Sequence, residues 1–273
     1  MKLYIDFGGT HFRYQLNSSK IKTLNSDTID LKNFLDKMIQ KHSNISFISI
    51  SFAGIVQNGE ILSSPNTNTK NFAVKKYIKE TYNIPLAIDN DLNCAALAEH
   101  NNLQVSSLAV FYIGTGFGSA FIDNNRLIKG ANNKSGEIGH IPFKKSPFNC
   151  GCGRDDCLEL YVSGNGIENW CDYFNIEAKY RRLDLLESLD DYKAKIIIEN
   201  FYHGLEYAFH SSLNLFDFNN LVLGGSVGNN ENIKNFLEEQ FNKSAFQREN
   251  LTISLSTLEE GSLQGTKLLY PSN

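Results

Sequence analysis

One pattern occurs twice in this chain, and it limits the architecture more than any other feature. Residues 2–7 form a short apolar run that stops at Gly8-Gly9-Thr10, and alternation resumes over residues 11–16. Residues 108–113 form a second apolar run, which ends in Gly114-Thr115-Gly116-Phe117-Gly118 and is followed by alternation over residues 119–123. Both read as strand, glycine turn, strand. After the first come Leu31, Phe34, Leu35, Met38 and Ile39 at helical spacing, a buried strand over 47–52, an amphipathic helix over 71–82 and a short strand over 86–88. A further helix then opens at Asp89-Asn90-Asp91. After the second come a turn at Asn124-Asn125 and a strand over 126–128. Helices are expected over 166–173, 183–189, 191–215, 232–241 and 261–269, and strands over 221–223 and 251–255. The expected architecture is an α/β chain with a duplicated βββαβαβα core. Its small lobe would be residues 1–104 with a C-terminal helix over 260–273, and its large lobe residues 105–259. No low-complexity linker separates the lobes, so the boundary near Gln104 reads as a hinge.

Residues 136–159 carry the most specific chemistry. His140 stands ten residues ahead of Cys150, Cys152 and Cys157, with carboxylates at Glu137 and Glu159 on the flanks. One imidazole and three thiols are the ligand set of a closed tetrahedral zinc site. Buried structural cysteines are the alternative, but Gly151 and Gly153 alternate with the cysteines as a tight metal knuckle requires. The other two thiols, Cys94 and Cys171, are expected to be buried and inert, and a reducing compartment is expected.

Lys+Arg 26 against Asp+Glu 30 gives a net charge of -4 with no basic block, which argues against nucleic-acid binding. The N-terminal run turns to glycines after six residues, and no segment approaches a membrane span. A cytoplasmic protein with no membrane partner is expected.

Glycine turns after strands leave backbone N–H groups open to an anion. Two such turns, together with Gly224-Gly225-Ser226 after the strand at 221–223, point to one phosphate-bearing ligand in the crevice where the strand ends of two lobes meet. Asp6, just ahead of the first turn, is placed to hold a magnesium ion through water. Asp91 reads as a helix N-cap. It also reads as a base that accepts a hydroxyl proton while the oxygen attacks a γ-phosphate. Asn90 would hold a neighbouring hydroxyl.

Together these motifs resemble the ROK family of sugar kinases, within the actin and sugar-kinase superfamily. The resemblance runs over DFGGTHFR at 6–13, NDLNCAALAE at 90–99, IGTGFGSAFI at 113–122, GEIGH at 136–140, CGCGRDDCLE at 150–159 and LVLGGSVG at 221–228. It implies a two-lobed actin-like ATPase (ribonuclease H-like) fold with a zinc-binding loop. It also implies a structural Zn2+ on His140, Cys150, Cys152 and Cys157, and sugar contacts from Asn66, Asn90, Asp91, Glu137, His140 and Glu159, with Asp91 the catalytic base. Nucleotide contacts fall on Gly8, Gly9, Thr10, Thr115, Gly116, Gly225 and Ser226, and a homodimer is implied. Two positions depart from the family's pattern: Asp156 stands where glycine usually precedes the last cysteine, and Ile55 follows Gly54 where proline is common.

The expected activity is ATP-dependent phosphorylation of a hexose hydroxyl, glucose to glucose 6-phosphate by default. The alternatives are N-acetylmannosamine or another N-acetylhexosamine, or fructose, and, from another class, a non-catalytic sugar sensor. The family's repressors carry a winged helix-turn-helix ahead of the DxGGT motif, and with five residues before Asp6 none is expected here.

Overall fold

The computed structural model describes residues 1–64, 69–243 and 250–269. It divides into two units: Met1–Gln104, Lys129–Ser135 and Leu258–Asn273 form the first, and Val105–Ile128 and Gly136–Thr257 the second. Lys129–Ser135, although inside the span 105–259, therefore packs with the first unit.

In the first unit, β1 (Lys2–Phe7), β2 (His11–Leu16) and β3 (Lys22–Asn25) form an antiparallel meander, followed by α1 (Leu31–Lys41) and β4 (Phe47–Phe52). Then come a small hairpin, β5 (Ile55–Gln57) and β6 (Glu60–Ser63), α2 (Val74–Tyr82), β7 (Leu86–Asn90) and α3 (Asp91–Leu103). The sheet order is β3-β2-β1-β4-β7, with β1, β4 and β7 parallel. β1 and β4 are buried along almost their whole length, which is why they read as continuous apolar runs. Phe7 sits at the centre of the core, with ring centroids 5.1 Å from Phe12 and 5.6 Å from Phe52, both edge-on.

The second unit repeats this plan. Its strands are β8 (Leu108–Ile113), β9 (Phe117–Asp123), β10 (Arg126–Leu127) and β11 (Asn220–Gly224), with β12 (Thr252–Leu255) at the far edge. The order β10-β9-β8-β11-β12 matches the first sheet strand for strand: an antiparallel meander, then parallel neighbours. Its helices are α4 (Gly164–Phe174), α5 (Leu183–Glu187), α6 (Tyr192–Phe216), α7 (Gly225–Gly228) and α8 (Glu231–Lys243). Phe111 of β8, Phe121 of β9 and Phe201 and Phe209 of α6 fill the core of this unit.

The last helix, α9 (Gly261–Thr266), belongs to the first unit and lies against α3. The approach is so close that a methyl group on Gly265 would fall inside contact distance of the Cys94 carbonyl. Glycine is required there for packing. Nearby, the Ser49 hydroxyl donates to the Thr266 carbonyl at 2.7 Å. Cys94 and Cys171 are fully buried. Among the described residues no helix is long and apolar enough to cross a membrane.

Several boundaries differ from the sequence expectation. The helix expected over 71–82 begins only at Val74, because Asn71 is left-handed at φ 50 and Phe72 instead bridges to Ile61. The helix expected over 260–273 is described over Gly261–Thr266, and residues 270–273 lie outside the described ones. The 55–63 hairpin was not expected from the sequence.

Candidate functional site

In the first unit, the end of β7 and the start of α3 bring Asp89, Asn90 and Asp91 together. The helix cap is Asn90, not Asp91. The Asn90 Oδ1 accepts the amides of Leu92 at 2.8 Å and Asn93 at 3.4 Å, and Asp91 is the first helical residue. Asparagine wins the position because Asn90 keeps extended backbone angles (φ -62, ψ 151), which let its short side chain fold back over the first turn. The Asn90 Nδ2 also donates to the Gly54 carbonyl at 3.1 Å, so one side chain fixes both the helix start and the loop after β4. Asp91 Oδ1 accepts the Leu92 amide at 3.0 Å.

Asp6 ends up 4% exposed on β1. Its Oδ1 accepts the Ser51 hydroxyl at 2.9 Å and its Oδ2 pairs with the Arg13 guanidinium at 3.3 Å. Arg13 in turn pairs with Glu260 at 2.5 Å. Burial pushes the Asp6 carboxyl up from its ordinary value, against the opposing pull of Ser51 and Arg13. A hydrated magnesium ion at Asp6 therefore has to compete with Arg13. Gly8, Gly9 and Thr10 form the β1–β2 turn, which Ser26 anchors by donating from its hydroxyl to the Gly8 carbonyl (2.7 Å) and from its amide to the Thr10 carbonyl (3.1 Å). Asn66 lies outside the described residues.

In the second unit, the β8–β9 turn and the α7 segment meet. Gly114, Thr115 and Ser226 line one cavity of about 560 Å³ together with Asn165, Arg181 and Asn229. That volume suits a nucleotide-sized ligand. The first amides of α4 hold the turn: Gly164 N–H donates to the Gly114 carbonyl at 2.7 Å and Asn165 N–H to the Thr115 carbonyl at 3.1 Å. Gly225 turns the chain into α7 with φ +85. Arg181 and Arg182 in this wall were not legible in the sequence, since an Arg-Arg pair between helices looks like solvated surface. Each is matched by an acid, Arg181 by Asp172 and Arg182 by Asp184, so the wall carries little net charge.

The cysteine loop comes together as well. His140, Cys150, Cys152 and Cys157 place one ligand atom each within 4.8 Å of one another. The His140 Nδ1 is 3.4 Å from the Cys150 sulfur, and the sulfurs of Cys152 and Cys157 are 3.3 Å apart. A tetrahedral zinc with Zn–S of about 2.3 Å needs ligand atoms about 3.5–3.8 Å apart. The donor set and its spacing therefore fit zinc. The backbone builds the cage from two sides. Pro142 bridges to Cys157, and the knuckle closes through Cys150 N–H to the Arg154 carbonyl (2.7 Å) and Gly153 N–H to the Cys150 carbonyl (2.8 Å). Burial pushes the Cys150 thiol up to about 11, and burial also raises Cys157; Cys152, though partly desolvated, is held below its ordinary value by the Arg154 amide and its fellow thiols. Asp156, the departure from the family pattern, pairs with Arg154 at 2.9 and 3.0 Å. A side chain is thus accommodated there without disturbing the ligands.

His140 spends only one ring nitrogen on the thiols. Its Nε2 lies 4.0 Å from the Glu137 carboxylate, and Glu137 is exposed. Glu159 bridges the loop to the glycine turn: its Oε2 accepts the Phe117 amide at 2.9 Å while Oε1 lies 3.6 Å from the Cys150 sulfur. Gly116 leaves room for it, since an added Cβ would sit 2.5 Å from Oε2.

Two sheets of one topology, with glycine turns at matching strand ends, define the actin-like ATPase class of α/β folds. The chain belongs to the ROK family, whose family model matches residues 3–271. Among curated relatives, a xylose repressor of Bacillus spizizenii is 29% identical over 227 residues, covering 80% of this chain and 57% of the repressor. The chain thus spans little more than half that relative's length. An N-acetyl-D-glucosamine kinase of Photobacterium profundum is 27% identical, covering 83% of this chain and 84% of the kinase. An N-acetylmannosamine kinase of Haemophilus influenzae is 26% identical, at 87% and 84% coverage. Among solved structures, a ROK hexokinase from Thermus thermophilus superposes with a TM-score of 0.81 at 22% identity, covering 97% of this chain and 96% of that one. A ROK glucokinase from Streptomyces griseus, in complex with glucose and AMPPNP, gives 0.74 at 18% identity and 98% coverage of both.

Proposed function

We propose that this chain is an ATP-dependent sugar kinase, with glucose to glucose 6-phosphate as the first candidate reaction. N-acetylmannosamine or another N-acetylhexosamine, and fructose, are the alternative acceptors. The observation that carries this reading is Asp91, a carboxylate that opens α3 behind a cap satisfied on both sides. The cavity beside Thr115 and Ser226 supports a nucleotide donor. N-acetylhexosamine kinases among the relatives, and a glucokinase solved with glucose and AMPPNP, support the choice of acceptors and donor.

In this reading Asp91 takes the proton of the sugar hydroxyl as that oxygen bonds to the γ-phosphorus and the bond to the β-bridging oxygen breaks, releasing ADP. Asn90, Asp91, Glu137, His140 and Glu159 are assigned to the sugar, with Asn66 as a further contact. Gly8, Gly9, Thr10, Thr115, Gly116, Gly225 and Ser226 are assigned to the nucleotide, whose Mg2+ would displace Arg13 from Asp6. Zinc, when bound, supplies a closed structural anchor and no reactive position. His140 Nδ1 would ligate it while Nε2 remains to donate to a hydroxyl, so the metal also fixes the ring's orientation. A cytoplasmic location, expected from the sequence, and a homodimer, as the family resemblance implies, belong to the same proposal. The xylose repressors among the relatives keep a non-catalytic sugar sensor as the second reading.

The deciding assay is ADP release with ATP and a panel of glucose, mannose, fructose, allose, N-acetylglucosamine and N-acetylmannosamine. Turnover of at least one sugar, lost by a factor of about 10²–10⁴ in Asp91→Asn while sugar binding and metal content persist, is the expected result. Sugar binding without turnover of any panel member establishes the sensor instead.

A further inference from the structure

Asp89 precedes the Asn90-Asp91 pair and is 1% exposed. Four donors converge on its carboxylate. Oδ1 accepts the Asn90 amide (2.8 Å), the Asn93 Nδ2 (2.8 Å) and the Asn133 Nδ2 (3.0 Å), and Oδ2 accepts the Lys129 ammonium. Two of these donors belong to the cap and first turn of α3. The other two belong to Lys129–Ser135, a polar strap with no regular structure that lines a cavity of about 400 Å³ on the first unit. The strap has further ties to the same unit. Asn133 Nδ2 also donates to the Val56 carbonyl at 2.9 Å, Gln57 Nε2 donates to Asn132 Oδ1 at 3.0 Å, and Ser135 N–H closes back on the Lys129 carbonyl at 3.1 Å.

A buried carboxylate is a costly way to fill space, and an apolar side chain of similar volume would serve stability as well or better. What the carboxylate adds is geometry: it fixes the Asn90 peptide, on which both the cap and Asp91 depend, and locks the strap to that peptide. The chain leaves the strap directly into Gly136 and Glu137.

We infer that Asp89 is a positioning residue for the sugar acceptor, acting through Lys129 and Asn133. Charged hydrogen bonds from the strap hold the backbone of Asn90-Asp91 in its binding geometry, so acceptor affinity depends on residues that do not touch the sugar. The inference rests on the kinase reading above for its functional arm, and on the geometry alone for its structural arm.

Lys129→Met is the first variant, because Lys129 is 48% exposed and belongs to none of the hydrophobic clusters. The expected result is a sugar KM raised about tenfold, the effect of losing one charge-assisted bond, and a lowered kcat because Asp91 shares the loosened backbone, with nucleotide KM and zinc content within about twofold of wild type. Lys129→Arg is expected to restore most of the loss, and Asp89→Asn to match or exceed Lys129→Met. An unchanged sugar KM, or a nucleotide KM that rises as much as the sugar KM, overturns the inference. Amide hydrogen exchange on the same variants gives the second readout. Faster exchange at residues 90–93 as well as 129–135 in Lys129→Met supports the coupling, and a change confined to 129–135 overturns it. If the wild-type protein turns over no sugar, the kinase reading falls while the exchange readout still decides the coupling.

Discussion

Asn90→Ala tests how the junction of β7 and α3 is held together. The substitution removes three interactions of one side chain: acceptance of the Leu92 and Asn93 amides, and donation to the Gly54 carbonyl at 3.1 Å. An N-cap asparagine contributes about 1 kcal/mol, within a range of about 0.5–2. The bond to Gly54, made in a half-buried setting, adds about 1 kcal/mol. The sum of about 2 kcal/mol corresponds to a Tm lowered by about 4–8 °C for a chain of this size. Asn90→Asp separates the two contributions. It keeps an acceptor at the cap and gains from the helix dipole, but it loses the donor and turns a charge toward the Gly54 carbonyl, so about half of the loss should remain. Calorimetry is the assay of choice, because it registers a transition of the first unit even where the two units unfold separately. An alanine variant within about 1 °C of wild type, or an aspartate variant less stable than the alanine one, would refute the account of the cap.

Two further outcomes follow from the buried acid and the thiol cage. Burial raises the Asp6 carboxyl above its ordinary 3.8, so above that pH the folded state holds a proton that the unfolded state has already released, and stability falls as pH rises through the window. Asp6→Asn should therefore be more stable than wild type in denaturant unfolding at pH 7, with the difference fading toward about pH 3.8; a wild type more stable than the variant at pH 7 contradicts this. Metal analysis should find about one zinc per chain. In Cys152→Ser, whose site is exposed and so does not disturb packing, both the metal and sugar affinity should fall, and undiminished sugar affinity in metal-free protein breaks the link between cage and pocket.

The parts of the fold that were legible in the sequence owe this to short-range signals. β1, β4 and β8 are apolar because they are buried, and their glycine turns stand out for the same reason in both units. The cysteine cage was legible because its ligands are close in sequence. The β5–β6 hairpin was missed although Asn58-Gly59, with φ 52 and 81, carries the dipeptide signal of a tight hairpin turn; its strands are three and four residues long and interrupted by a bulge at Ile55, too short for alternation to show. The cap moved from Asp91 to Asn90 because both are good caps by type and only the backbone angles choose between them. The strap stayed hidden for another reason. Its residues are polar without period, and the Asp89 that organises it lies 40 residues earlier in the chain.

The close fit of Gly265 against Cys94 also has a consequence for the order of events during synthesis. The first unit is discontinuous: the surface of α3 that α9 covers is made early, and its cover arrives only with the residues from Leu258 onward. The second unit has nearly all its parts in one intervening stretch, so it can close while the first still exposes one face of α3. The unit that emerges first is completed last, which reverses the N-to-C order in which domains usually fold. The nascent chain therefore carries one face of α3 uncovered until α9 docks.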